Sequence, residues 1–116
     1  MLIIRKPGDI SSLPDDHPAH ARVDLLDLAP ILIIEPGDTE SDIISEVGLS
    51  PLVNWVDAGR FPSPAFTPNW EYISDHGGWF EQVYVTCDDG SGVMIFVPDD
   101  ERIDSDLLTL CRRYAR

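Results

Sequence analysis

WEYISDHGGWFEQVYVTCDDGSGVMIFVP, residues 70–98, decides how this chain folds. Three segments rich in aromatic and β-branched residues are separated by two short runs, Asp75-His76-Gly77-Gly78 and Asp88-Asp89-Gly90-Ser91. Asp and Gly supply the tight-turn conformations that hairpins need, so the stretch reads as a three-stranded antiparallel meander over about residues 70–97. A four-residue loop at 75–78 would pair Ile73 with Phe80 and Tyr72 with Glu81. A turn at 88–91 would set Val85 against Met94 and Val83 against Phe96. Alternation then gives one face with Trp70, Tyr72, Val83, Val85, Met94 and Phe96. The other carries Ile73, Phe80, Tyr84, Val93, Ile95 and Val97. Both faces are apolar, so both need a cover.

Outward from the meander, Leu107, Leu110, Cys111 and Tyr114 recur at helical spacing and predict a C-terminal helix over about 104–114, covering one face. Asp104 or Ser105 can cap it, and Arg112 and Arg113 suit its far end. The second face falls to the N-terminal half or to a second copy in a homodimer. Upstream, Pro51, Pro62, Pro64 and Pro68 forbid a long regular element between Leu49 and Asn69, which reads as an ordered wrap. Asp38 can cap a short helix running to about Val47, with Ile43, Ile44 and Val47 inward and Gly48 at its end. Ile31–Glu35 and Leu2–Arg5 read as short strands, each stopped by Pro-Gly. Asp9–Ala21 is predicted loop with at most a helical turn, and 22–28 is ambiguous between helix and strand. The fold class expected is α+β in one domain, residues 1–116.

Charge restricts the partners. There are 21 acids against eight bases, a formal −13 at pH 7, and the excess is spread along the whole chain. Such a surface repels nucleic acid and anionic membranes and attracts a basic protein. The N-terminal apolar run is too short for a signal peptide, and nothing approaches the roughly 20 apolar residues of a membrane span. Cys87 and Cys111 do not form a disulfide framework and read as small buried thiols. A reducing cytoplasm is therefore expected.

Three polar constellations compete with purely structural readings. Asp75 and His76, with Glu71 and Glu81 nearby on the predicted sheet, could form an acid–base pair, because a carboxylate orients a histidine and raises its pKa. The same residues also serve the geometry of a hairpin loop, and the G-x-S-x-G elbow that would accompany an esterase-type His-Gly-Gly run is absent. His17 and His20, beside Asp15 and Asp16, have i, i+3 spacing, but Pro18 between them opposes the helix a metal pair would require; neither metal nor cofactor is expected. Asp99, Asp100, Glu101, Asp104 and Asp106 are the densest acids. They read as a solvated approach to the last helix or as a negative docking ridge which, together with Asp88 and Asp89 and with the acids from Glu35 to Glu46, could imitate duplex phosphates.

The run LSPLVNWVDAGRF from Leu49, then WEYISDHGGWFE, DDGSGV, IFVP and LLTLCRRYA up to Ala115, resembles a family of short acidic hypothetical proteins encoded in bacterial integrative and conjugative elements and plasmids. DHGGWFE and DDGSGV are its most specific segments. The resemblance implies a bacterial, cytoplasmic, mobile-element setting and supplies no catalytic residue. Two functions are consistent with the sequence. One is a non-enzymatic interaction protein that binds another protein, a basic nucleic-acid-binding one through charge mimicry. The other is a small hydrolase or transferase using Asp75 and His76.

Overall fold

The computed structural model describes residues 1–47, 70–85 and 92–115. Within them, strands β1 (Leu2–Ile4), β2 (Ile31–Ile33), β3 (Trp70–Ile73), β4 (Trp79–Val85) and β5 (Gly92–Pro98) form one sheet in the order β1-β2-β5-β4-β3. The meander is β3-β4-β5, antiparallel throughout. The β1–β2 pair is antiparallel, and β2 joins β5 in parallel, setting Ile31, Leu32 and Ile33 against Met94, Ile95 and Phe96. This placement explains the continuous apolar runs ILI and VMIFV. Both strands are internal and buried on both faces, so neither shows polar alternation. The α+β class, the N-terminal strands and the C-terminal helix agree with the sequence; the sheet is mixed.

The register of the first hairpin differs from the sequence expectation by one residue. Ile73 pairs with Trp79, Tyr72 with Phe80, Glu71 with Glu81 and Trp70 with Gln82. Ser74 joins Asp75–Gly78 in the connection, where His76, Gly77 and Gly78 all take positive φ (55°, 90° and 97°). A one-residue slip turns a whole strand over. Trp70 therefore lies in the cluster of Phe80, Val93, Ile95 and Val97, while Ile73 packs with Met94 and Phe96. At the second hairpin Val83 faces Met94 and Val85 faces Gly92. This slip of two residues leaves the faces unchanged. The turn at 88–91, Cys87 and the proline-rich stretch after Gly48 lie outside the described residues.

Helix α2 (Ser105–Tyr114) covers the Phe80 face with Leu107, Leu108 and Cys111, joined by Ile43 of helix α1 (Glu40–Val47). Asp104 caps α2 by accepting from the Leu107 amide at 3.2 Å. Asp38 does not cap α1. It accepts from the Glu35 amide at 2.8 Å, while Asp42 accepts from the Thr39 amide at 2.8 Å. The opposite face is covered by the N-terminal half, through 3-10 helices at Pro7–Ser12 and Pro18–Leu25. Ala19, Leu26 and Ala29 pack there against Ile4, Ile31, Met94 and Phe96. Proline opens each segment and fixes φ, and the short runs that follow close as tight i to i+3 turns. Among the described residues no helix is long and apolar enough to cross a membrane.

Candidate functional site

The covering 3-10 segments and the first hairpin loop meet at His17. Pro18 holds the preceding residue extended, and His17 accordingly sits at φ −64°, ψ 134° as the cap of the second 3-10 helix. Its Nδ1 accepts from the Ala19 amide at 3.0 Å. The neutral imidazole therefore carries its proton on Nε2, and this atom is buried without a hydrogen-bond partner among the described residues. The ring, only 3% exposed, lies 4.5 Å from the Trp79 ring and 6.0 Å from those of His76 and Phe96, centroid to centroid. Burial, reinforced by His76 and His20 and opposed by Asp16, lowers the His17 pKa to about 4.

His76 comes from the hairpin loop and is the one non-glycine among the described residues with positive φ (ψ 45°). Left-handed backbone is sparsely used by side-chain-bearing residues and costs free energy. Here it brings His76 Nδ1 to 3.1 Å from Asp16 Oδ1 and presents the His76 carbonyl to the Trp79 indole N–H at 3.2 Å. Between these groups lies a cleft of about 340 Å³. Leu2, Leu13, Pro14, Ile33, Trp79 and Pro98 give it apolar walls; His17, His76, Glu35, Asp100 and Arg102 are its polar groups. Glu35 holds the terminal amine at 2.8 Å. Arg102 clasps Asp100 with Nη2–Oδ2 at 2.6 Å and Nε–Oδ1 at 3.1 Å, which holds the Asp100 pKa down at about 2.

The residues singled out in the sequence are dispersed. Asp75 is exposed, its carbonyl accepting from the Gly78 amide, and the carboxylate beside His76 is Asp16's. His20 turns to the Pro14 carbonyl at 2.8 Å. Among the described residues no group of three His, Cys, Asp or Glu side chains is placed to hold a metal. No serine, threonine or cysteine is found among the described residues that line the cleft. Cys111 is buried under the other face, where desolvation raises its pKa.

Of the acidic ridge, Asp99 and Glu101 both grip Arg112 at 2.8 Å, Asp100 grips Arg102, and Asp104 is spent as a helix cap. Asp106 stands exposed in the first turn of α2; Asp88 and Asp89 lie outside the described residues. Glu81, predicted near His76, is instead buried against Arg22, with Glu71 opposite it in the sheet.

Sequence reasoning missed the pairing of His17 with Trp79 and of Asp16 with His76, since each joins residues about sixty positions apart. The only local sign was the His17-Pro18 dipeptide, which fixes a backbone but names no neighbour. Compared with protein-family models, with curated proteins and with solved structures, the chain finds no match.

Proposed function

We propose that this protein acts by binding, as a small acidic interaction protein of a bacterial mobile element, working in the cytoplasm on a basic partner that itself binds nucleic acid. One observation carries the reading: bases that could offset the acids are already engaged inside the molecule. Arg5 meets Glu46, Arg22 meets Glu81, Arg102 meets Asp100, and Arg112 meets Asp99 and Glu101. Asp15, Asp24, Asp27, Asp42, Asp75 and Asp106 meanwhile stand exposed on several elements. A field of this sign steers basic surfaces and turns away phosphates, so the acids would occupy a nucleic-acid groove of the partner rather than a nucleic acid itself.

Capture from host lysate with the tagged full chain, followed by mass spectrometry and kinetics on the purified partner, tests this. Binding should weaken steeply as salt rises from roughly 50 to 500 mM, because screening shortens to a few Å over that range. Replacing Asp99, Asp100 and Glu101 by Asn, Asn and Gln frees two arginines as well as removing three negative charges, and should slow association. The same change at Asp15, Asp24 and Asp27 should slow it through charge loss alone. Association indifferent to salt and to both triple variants would overturn the reading.

A second reading, a small hydrolase or transferase, draws on His76 being oriented by Asp16 beside a cleft. It requires turnover of a simple ester or phosphoester that His76→Ala abolishes while the fold persists.

A further inference from the structure

We propose that the cleft between the hairpin loop and the 3-10 helices binds a small uncharged ligand with a flat apolar body and one carbonyl-type acceptor. His17 Nε2–H would donate to that acceptor and Trp79 would provide the stacking face. Three independent features converge there.

The first is the unpartnered donor. A buried N–H without an acceptor costs stability, and native proteins leave few of them. The other tautomer would not remove the cost, because it leaves Nε2 an unpaired acceptor and sets an Nδ1–H against the Ala19 amide that Nδ1 accepts from. A ligand acceptor at Nε2 would recover the missing bond.

The second is rigidity. Trp79 is fixed through its indole N–H by the His76 carbonyl, and it remains half-buried on the cleft side of the sheet. The left-handed backbone of His76 keeps that carbonyl in place. Strain of this kind persists where the surroundings over-determine it, and it tends to gather at binding sites.

The third is the charge balance of the lining, which selects the ligand class. Glu35 is engaged by the terminal amine, which also holds Asp38, Asp100 is matched by Arg102, and His76 faces Asp16, so none of these groups is left without a partner. His17 is neutral at pH 7. An anion or a cation would therefore enter an apolar-walled cleft without a counter-charge and lose its hydration there. An amide or a neutral heteroaromatic ring would not. The cleft volume lies at the small end of ligand pockets, which suits a single ring with one substituent.

The test uses three probes of one shape, benzamide, benzoate and benzylammonium, titrated into the isotope-labelled full chain at pH 7. The readouts are the NMR resonances of the Trp79 indole N–H and of His17 Nε2. Benzamide should move both and saturate in the low millimolar range. Benzoate and benzylammonium should bind at least about tenfold more weakly, each lacking compensation for its charge. His17→Phe keeps a ring against Trp79 but removes the donor, and should weaken benzamide about tenfold while leaving fluorobenzene, which has no carbonyl, within about twofold. If that variant does not fold, the His17 Nε2 shift of the parent chain decides alone. Equal affinity for all three probes, tighter binding of benzoate, or no saturating shift at either residue by tens of millimolar benzamide would each overturn the proposal.

Discussion

Arg22 and Glu81, 59 positions apart, form a two-pronged ion pair that fastens the second 3-10 helix to β4, an internal strand of the sheet. Arg22 Nε donates to Glu81 Oε2 at 3.0 Å, and Nη2 donates to Oε1. Glu81 is only 3% exposed, and its cross-strand neighbour Glu71 adds negative charge, so the guanidinium is the group that makes burial of the Glu81 carboxylate tolerable.

Removing one partner of this pair should therefore cost more than removing both. Arg22→Ala strands a buried carboxylate beside a like charge and is expected to destabilise by about 3–5 kcal/mol. The double variant Arg22→Met, Glu81→Leu withdraws both charges at similar volume and should recover most of that loss. Urea unfolding of the parent, the single and the double variant measures it. A double variant as unstable as Arg22→Ala would show that the 3-10 helix is held by packing and that the ion pair contributes little.

This pair also marks the limit of what the sequence disclosed. Strands with strong turn punctuation were legible, because Gly77-Gly78 and Asp88-Asp89-Gly90 break runs of branched and aromatic residues. Helix α2 was legible from the spacing of Leu107 and Cys111 and from its cap. The face of β3 was not, since it depended on whether Ser74 belongs to strand or loop, a choice governed by three consecutive positive φ angles. The candidate site was least legible. His17, Asp16 and Arg22 lie in a proline-punctuated segment without periodicity, and their partners Trp79, His76 and Glu81 are set by how that segment packs on the sheet.

Stability should depend on pH through His17. Its folded pKa, about 4, lies below the ordinary 6.5 because the ring is buried among Trp79, Phe96 and His76. The unfolded chain then binds more protons than the folded one between these values, so stability is full above about pH 6.5 and is lost as pH falls toward 4. The shift corresponds to about 3–4 kcal/mol once the window has been crossed. Asp100 titrates lower, between its ordinary 3.8 and about 2, which keeps the two windows apart. His17→Asn retains a cap for the Ala19 amide but does not titrate, so its unfolding free energy should be flatter across pH 6.5 to 4 than the parent's. Parallel slopes for the two proteins would mean that His17 does not control the acid response.

Gly78 and Tyr72 make the hairpin loop selective for glycine at one position more than at the next. Gly77 and Gly78 both have positive φ, but a Cβ at Gly77 would meet open space, while at Gly78 it would collide with the Tyr72 phenol. Tyr72 is packed on Phe80 at 5.1 Å between ring centroids, though 43% exposed, so it can yield only by giving up that contact. Gly77→Ala is expected to cost about 1 kcal/mol through backbone strain. Gly78→Ala carries strain of its own and the displacement of Tyr72, and should cost about 2–4 kcal/mol. The two contributions separate in a double-mutant cycle with Tyr72→Ala. In that background Gly78→Ala should lose about 1 kcal/mol of its penalty, the part due to the collision. If Gly78→Ala costs the same with and without Tyr72, the penalty is backbone strain alone and the tyrosine takes no part in shaping the loop that carries His76.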